Sequence, residues 1–271
     1  ILNKLLINLI KPYKIPSKII RKIKFLINKR RYNQNEYEKK QNNLFESIGL
    51  DRNLGIEKLI LIKKKFNLNV KRSMSSEHEI LFSSISINEN MKITNILEIG
   101  TFDGFNALLL SKLFPGTQIH TIDLPNNDND LRNTYERKNS IKDFLNERDK
   151  IISNSKNINF KQLNSVKLIN HNKKYDLIWI DGAHGYPIVC IDIVNSLNLI
   201  NDKGIILCDD IFLNLKLSKS DKMYNSLASY ETLRMLEEQK LIKLELIYKR
   251  LNSKDNCLEN ERKYIAIINK N

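Results

Sequence analysis

A glycine-bearing turn between a strand-like run and a helical run is the part of this sequence best suited to hold a ligand. Residues 96–104 read Ile-Leu-Glu-Ile-Gly-Thr-Phe-Asp-Gly, and an apolar helical pattern follows directly. This order lets the backbone approach a nucleotide-like ligand closely. Asp123 closes the next strand-like run, where a carboxylate can accept hydrogen bonds from both hydroxyls of a ribose. Together these residues predict a site for an adenosine-containing cofactor.

The composition of the turn distinguishes two classes of such cofactor. A dinucleotide fingerprint has the form Gly-x-Gly-x-x-Gly, because a pyrophosphate must sit at the helix N-terminus. Here the middle position is Phe102, and Glu98 precedes Gly100 by two residues. A carboxylate facing the turn repels a pyrophosphate but suits the cationic amino-acid end of S-adenosylmethionine. The turn therefore favours S-adenosylmethionine, with a βα turn that holds no ligand as the plain alternative.

Three carboxylates follow two further strand-like runs. Asp181 ends the run at 175–181, and Asp209 and Asp210 follow the apolar part of the next parallel run. In an open α/β sheet the carboxyl ends of the strands meet at one edge, where ligands bind. Three carboxylates in a poorly solvated cleft repel each other unless a cation lies among them, and oxygen ligands favour Mg²⁺ or Mn²⁺. The sequence therefore predicts a divalent metal site formed by Asp181, Asp209 and Asp210.

In these residues the sequence resembles the class I S-adenosylmethionine-dependent methyltransferases, whose first motif is acid-x-Gly-x-x-x-Gly. The aromatic residue at the middle position resembles the metal-dependent catechol and caffeoyl-CoA type O-methyltransferases in particular. The resemblance covers roughly residues 75–271. It implies that the methionine end, the ribose and the adenine side of the cofactor are bound by Glu98, Gly100, Thr101, Phe102, Gly104, Asp123, Asn164, Ser165 and Asp181.

The resemblance also implies a catalytic arrangement. In that family an Asp ends the fourth strand and an Asp-Asn pair follows the fifth, together binding Mg²⁺; Asp181, Asp209 and Asp210 stand at those positions, with Asp210 in place of Asn. A Lys three residues after the first Asp is the family's general base, and the same offset gives His184 here. Imidazole, with a reference pKa of about 6.5, is a suitable base near neutral pH. The stretch Ile-Asp-Gly-x-His-x-Tyr also resembles a bacterial branch associated with sugar and natural-product O-methylation.

Alternating strand and helix patterns must position these residues. Strand-like runs lie near 94–99, 118–123, 157–162, 175–181 and 204–209, a helix is predicted at 223–240, and two further strand-like runs lie at 241–249 and 262–269. The expected fold class is α/β: a Rossmann-like, seven-stranded, mostly parallel sheet with a C-terminal antiparallel hairpin and a helical N-terminal extension. The hairpin is what class I methyltransferases add to the parallel sheet. The expected division is a basic amphipathic helical tail at 1–35, a helical segment at 36–90 and a methyltransferase domain at 91–271.

The positive charge of the chain is concentrated in the tail. The formal net charge is +14, yet residues 1–35 hold ten Lys or Arg and no acid, which leaves 35 basic against 31 acidic residues elsewhere. A nearly neutral body argues against nucleic acid as its partner. The tail pattern, apolar on one face and basic on the other, fits peripheral contact with an anionic inner membrane surface. It fits equally a helix packed on its own domain or in a homodimer. No apolar run is long enough to span a bilayer, and widely spaced cysteines indicate the cytoplasm.

The expected function is S-adenosylmethionine-dependent O-methylation of a small hydroxylated acceptor, a sugar or a secondary metabolite, with divalent-metal assistance. His184 and Asp181 are the catalytic candidates. Each acidic residue also has a structural interpretation, as a helix cap or as part of the cleft wall, and His184 could instead fix the turn that contains it. Two other functions are alternatives: an NAD-dependent oxidoreductase, and a non-catalytic membrane or assembly protein with a degenerate methyltransferase domain.

Overall fold

A seven-stranded sheet forms the centre of the protein. The structure is a computed structural model that describes residues 32–68, 76–133, 140–214, 226–251 and 262–271, together with residues 23, 26 and 27. The strands are β1 (Asn95–Ile99), β2 (Gln118–Asp123), β3 (Ile158–Gln162), β4 (Tyr175–Ile180), β5 (Ile200–Phe212), β6 (Ile242–Tyr248) and β7 (Lys263–Lys270). Their order is β3-β2-β1-β4-β5-β7-β6, with β1 to β5 parallel and β7 antiparallel to both neighbours. The predicted fold class is confirmed.

Helices connect the strands and precede the sheet. In chain order they are α1 (Gln34–Ser47), α2 (Arg52–Lys65), α3 (His78–Ser86), α4 (Phe105–Leu113), α5 (Asn129–Asn133), α6 (Ile141–Ile152), a 3-10 helix (Ser165–Asn170), α7 (Ile188–Leu199) and α8 (Ala228–Glu238). The first two begin at side-chain caps: Asn33 accepts from the amide of Glu36, and Asp51 from the amide of Leu54.

Helices cover both faces of the sheet, so successive apolar residues of one strand enter different cores. Ile96 packs with α1 to α4 on one face, whereas Leu97 packs with α7 and α8 on the other. Leu177 and Ile178 of β4 divide in the same way. Strands buried on both faces read as continuous apolar runs, which is why the central strands could be recognised in the sequence.

The antiparallel hairpin returns the chain to the edge at which the parallel strands end. Because β7 runs against β5, it begins where β5 ends, and β6, which runs against β7, ends there too. Lys249 directly after β6 and Lys263 at the start of β7 therefore lie beside Asp209 and Asp210. This carboxyl edge is where open α/β sheets bind ligands.

Buried polar contacts join the N-terminal helices to the end of this hairpin. The side-chain amide of Gln41 in α1 donates to the carbonyl oxygen of Tyr248 (2.9 Å) and accepts from its amide (3.0 Å). Glu77, directly before α3, donates its amide to the carbonyl oxygen of Lys249 at 2.8 Å. The Glu77 carboxylate pairs with Arg52 of α2. Since Gln41, Glu77 and Arg52 are buried, these contacts fix the position of the chain at Lys249.

The predicted strands agree with the structure except in the length of β5. We expected a strand near 204–209, but β5 spans Ile200–Phe212. Its pairing with β4 ends at Cys208, whereas its antiparallel pairing with β7 continues to Phe212. The longer strand thus contains Asp209 and Asp210, which we had placed at a strand end.

Most of the predicted tail at 1–35 lies outside the described residues. Ile23, Leu26 and Ile27 are helical with exposed side chains. Of the helix predicted at 223–240, α8 covers the central part, and residues 215–225 are also outside the described ranges. None of the helices described is long and apolar enough to cross a membrane.

Candidate active site

Two glycines shape the turn between β1 and α4. Gly100 has a φ of 103°, and a Cβ there would lie 2.3 Å from the carbonyl oxygen of Asp181. Gly104 has a φ of 78°, and a Cβ there would lie 2.8 Å from Cγ1 of Ile152 in α6. Left-handed backbone and lack of space together require glycine at both positions. The predicted cofactor turn therefore passes directly beside the end of β4, where Asp181 lies.

Asp123, at the end of β2, is held against the middle of this turn. Its Oδ2 accepts a hydrogen bond from the amide of Phe102 at 2.9 Å, and its Oδ1 accepts from the amide of Leu124 at 2.8 Å. Phe102 has a φ of 49°, which is uncommon for a residue other than glycine, and the contact with Asp123 stabilises it. A carboxylate oxygen has two lone-pair sites, so Asp123 can also accept from ribose hydroxyls.

Glu98 lies behind the turn and not at its open face. Its side chain is fully buried: Oε1 accepts from the side-chain amide of Asn106 at 2.7 Å, and Oε2 from the hydroxyl of Thr121 at 2.5 Å. The hydroxyl of Thr101 lies 2.6 Å from the same Thr121 hydroxyl. These contacts join β1, β2, the turn and α4. They give Glu98 and Thr101 a part in holding the turn in shape, and they leave direct contact of Glu98 with the cofactor a prediction.

Asn164 and Ser165 follow β3 at the same edge of the sheet. Gln162, the last residue of β3, pairs with Asp123, so the next residues along the chain lie just beyond the predicted ribose contact. The side chain of Asn164 caps the 3-10 helix, and the carbonyl oxygen of Ser165 accepts from the side-chain amide of Asn195 at 3.2 Å. Both residues are partly exposed, as a wall of the predicted adenine site requires.

His184 lies next to two of the predicted acidic residues. Its Nε2 is 3.5 Å from Oδ1 of Asp181 and 3.9 Å from Oδ2 of Asp210. The side chain of His184 is 6% exposed, whereas that of Asp181, directly after β4, is 36% exposed. Burial lowers the pKa of His184, and the nearby carboxylate of Asp210 opposes this effect only in part. The imidazole therefore favours its neutral state, in which it can accept a proton.

A β-bulge directs the carboxylates of Asp209 and Asp210 to the same place. Between Cys208 and Ile211, β5 has one more residue than the facing stretch of β7. Asp210 adopts a φ of 55°, in the left-handed region. In a regular strand these two successive side chains would point to opposite faces of the sheet. The extra residue changes their direction, which is a common role of bulges beside functional sites.

The ammonium group of Lys249 lies between these two carboxylates. Its Nζ donates to Oδ2 of Asp209 at 2.5 Å and also to Oδ1 of Asp210. The Nζ of Lys263 donates to the other oxygen of Asp210 at 2.6 Å. Burial favours a neutral amine at Lys249, but the facing carboxylates raise the pKa of Lys249 above its usual value. Two ammonium groups therefore face the Asp209–Asp210 pair.

The carboxyl groups around this cluster differ in their preferred charge. Burial, followed by the charge of Asp209, raises the pKa of Asp181 well above its usual value. Burial acts in the same direction on Asp210, but Lys249 and the other positive groups beside it hold the pKa of Asp210 well below its usual range. Relative to an ordinary aspartate, the surroundings stabilise the neutral form of Asp181 and the ionised form of Asp210.

This arrangement does not fit the predicted metal site. Mg²⁺ requires oxygen ligands that converge at about 2.0–2.1 Å in an octahedral arrangement. Here Lys249 occupies the space between Asp209 and Asp210 and uses their facing oxygens. Across the described parts of the chain, no group of three or more His, Cys, Asp or Glu residues is arranged to hold a metal ion. The geometry therefore gives no support to a Mg²⁺ or Mn²⁺ site at Asp181, Asp209 and Asp210.

Sequence reasoning missed both lysines of this cluster. We treated Lys249 as the end of a strand-like run, and Lys263 received no role. The available signal was positional: each lysine directly adjoins an apolar run of the terminal hairpin. An antiparallel hairpin at the end of a parallel sheet brings those two positions to the carboxyl edge, where the three acids were already predicted to need a cation.

Comparison with known proteins places the fold among methyltransferases. Residues 97–211 match the family model described as a methyltransferase domain. The methyltransferase of Podospora anserina with bound S-adenosylhomocysteine aligns with a TM-score of 0.50 and 16% identity over 79% of this chain and 87% of that chain. A candidate caffeoyl-CoA O-methyltransferase from Staphylococcus aureus aligns with a TM-score of 0.52 and 14% identity over 79% of this chain and 92% of that chain. An O-methyltransferase of Bacillus cereus in complex with S-adenosylhomocysteine aligns with a TM-score of 0.50 and 14% identity over 80% of this chain and 90% of that chain.

These matches differ in what they establish. At such low identity the three solved structures demonstrate a common fold. The family match includes the Glu98–Gly104 motif, the loop after β4 and the Asp209–Asp210 pair. It confirms the resemblance to methyltransferases that the motif predicted. No match is found among curated proteins.

Proposed function

We propose that this protein transfers a methyl group from S-adenosylmethionine to a hydroxyl of a small acceptor, a sugar or a secondary metabolite. The observation that carries the proposal is the turn from Gly100 to Gly104 with Asp123 bound to its centre, next to Asp181 and His184. The methyltransferase-domain match and the shared fold support the same chemistry. When bound, S-adenosylmethionine supplies the methyl group and a sulfonium that is neutralised as the methyl leaves.

The chain's own residues account for binding and alignment. Asp123 accepts hydrogen bonds from the ribose, and the narrow turn at Gly100 lets the backbone approach the methionine end. Asn164 and Ser165 border the adenine. These contacts hold the donor so that the acceptor hydroxyl approaches the methyl group in line, which converts an encounter in solution into an oriented reaction.

The proton of the acceptor hydroxyl passes to His184 in this proposal. Its imidazole favours the neutral form because it is buried, and it lies 3.5 Å from Asp181. Asp181, which is partly exposed directly after β4, orients the acceptor by hydrogen bonding. The divalent-metal assistance expected from the sequence forms no part of the proposal, because Lys249 takes the place between Asp209 and Asp210. Peripheral membrane contact through 1–35, a homodimer and a cytoplasmic location stay predictions.

Calorimetric titration of S-adenosylhomocysteine into the full chain tests the proposal. We expect micromolar binding to the wild type, and a loss of about 1.5–3 kcal/mol of binding free energy in Asp123→Ala, the cost typical of hydrogen bonds to a charged group. Asp202→Ala, an exposed acid at the start of β5 and far from the site edge, is the matched control. Binding of NAD in place of S-adenosylhomocysteine would favour an oxidoreductase. A folded sample that binds neither ligand would favour the non-catalytic alternative.

A further inference from the structure

The Asp209–Asp210 pair carries a feature that the proposed reaction does not explain. Two carboxylates adjacent in sequence are buried together, with 4% and 10% of their side chains exposed. Burying one ionised carboxylate without a partner is strongly unfavourable, and a like charge beside it adds to that cost. The bulge in β5 and the left-handed backbone of Asp210 direct both groups toward one point, so their proximity is built into the fold.

The group at that point is the ammonium of Lys249, and it is held there from several directions. Its side chain is 8% exposed. Its carbonyl oxygen accepts from the amide of Glu77, and its amide donates to the carbonyl oxygen of Lys263 at 3.0 Å. The preceding residue, Tyr248, has both its backbone groups bound by Gln41. Because its backbone is fixed on both sides and its side chain is buried against both carboxylates, Lys249 has little freedom to leave them.

We propose that Lys249 supplies, as a permanent part of the protein, the positive charge that a divalent cation would otherwise supply between Asp209 and Asp210. Lys263 adds the second charge at the outer oxygen of Asp210, so two ammonium groups balance two carboxylates. Lys249 is thus a positioning residue: it acts on the site by holding the two acids in place and by excluding divalent cations from them. The proposal rests on the proposed function only in treating this cleft as the methyl-transfer site.

Removal of the lysine should therefore create a metal site. The experiment titrates Mn²⁺ into the full chain, freed of metal by a chelator, and follows free Mn²⁺ by its paramagnetic resonance signal. We expect no binding by the wild type up to millimolar Mn²⁺. Lys249→Met should gain one site, with affinity at least about tenfold above that of the wild type. Lys249→Arg keeps the charge and should exclude Mn²⁺ as the wild type does. A purely structural role for Lys249 predicts no Mn²⁺ site in either variant, so the gain in Lys249→Met is the result that distinguishes the two.

Controls separate the possible outcomes. Lys243→Met removes an exposed lysine of β6, the strand that ends just before Lys249; Lys243 pairs with Glu245, and the variant should leave Mn²⁺ binding as in the wild type. Asp210→Ala in the Lys249→Met background removes one of the oxygen ligands and should abolish the new site. Stoichiometric binding of Mn²⁺ by the wild type would overturn the inference, as would a folded Lys249→Met protein that gains no site. If Lys249→Met does not fold, Lys249→Gln, which also removes the charge, takes its place with the same expected gain, and Mn²⁺ binding by the wild type or by Lys249→Arg still overturns the inference.

A second titration, of S-adenosylhomocysteine into the same wild-type sample, keeps this inference separate from the proposed function. Cofactor binding accompanied by Mn²⁺ binding would sustain the methyltransferase and reject the role of Lys249. Absence of cofactor binding would reject the methyltransferase, while the Mn²⁺ result would still decide whether Lys249 occupies the cation position.

Discussion

At the residue scale, His184 determines how the proposed reaction depends on pH. Since burial lowers the pKa of His184, the neutral base is present above that lowered value and is lost as the pH falls through it. The rate of S-adenosylhomocysteine formation with a panel of hydroxylated acceptors should therefore fall on the acid side. His184→Ala should bind the cofactor normally, lose this acid limb and turn over roughly 10²–10⁴-fold more slowly.

The control for this variant is His171→Ala, which follows the 3-10 helix away from the cluster. We expect it to keep both the rate and the pH profile of the wild type. A His184→Ala protein with an unchanged profile would show that His184 only maintains the structure of its loop.

Asp192 is a second residue whose charge should be visible in solution. It lies in α7 beneath the loop of the site, since its Oδ2 would be 3.8 Å from a Cβ at Gly182, and it is fully buried. Burial raises the pKa of Asp192 to about 6, with Ser165 opposing in part. The folded protein thus binds the proton of the Asp192 carboxyl more tightly than the unfolded chain does. This proton binding stabilises the folded protein at low pH, and the stabilisation is lost as the pH rises through about 6.

Asp192→Asn removes this dependence. Relative to the wild type, the variant should gain up to about 3 kcal/mol in the free energy of unfolding between roughly pH 4 and pH 8. Urea unfolding at a series of pH values measures the difference. The exposed Asp202→Asn variant should show none. A constant difference between Asp192→Asn and the wild type across this range would mean that Asp192 is ionised in the folded protein.

The acidic residues and His184 could be predicted because each stands at a fixed offset from a strand that local sequence reveals. The family resemblance then assigned their roles. Lys249 could not be predicted in the same way, because its contacts with Asp209 and Asp210 cross about forty positions of sequence. For Glu98 the sequence revealed the motif but not the contacts. Its motif was correctly recognised, but its buried partners, Asn106 and Thr121, become visible only in the folded chain.

At the element scale, burial on both sheet faces made the strands recognisable, whereas irregular geometry did not show in the sequence. The β5 strand continues through Asp209 and Asp210 because β7 extends its pairing beyond that of β4. Neither the bulge nor the positive φ of Asp210 is marked by a glycine. The bulge is nevertheless what brings both acids to Lys249, so the local charge arrangement depends on an element feature that pattern analysis misses.

At the scale of the whole molecule, the pair of Arg52 and Glu77 connects the N-terminal helices with the far end of the chain. Arg52 donates to both carboxylate oxygens of Glu77, at 2.7 and 3.1 Å, with both side chains about nine-tenths buried. The backbone of Glu77 in turn holds Lys249. A single buried pair thus links α2, α3, the terminal hairpin and the site edge.

Arg52→Met should therefore destabilise the protein by about 3–5 kcal/mol, because it leaves the Glu77 carboxylate buried without its charge partner. The side-chain amide of Gln41 donates to Oε2 of Glu77 at 3.3 Å. Adding Glu77→Gln removes the charge but keeps this partner for Gln41, so the double variant should recover part of the loss. Chemical unfolding provides the measurement. The matched control is Arg234→Met, which breaks an exposed pair with Glu238 and should cost about 0–1 kcal/mol. Equal losses of unfolding free energy in Arg52→Met and Arg234→Met would mean that the helices are joined to the hairpin by apolar packing and not by the pair of Arg52 and Glu77.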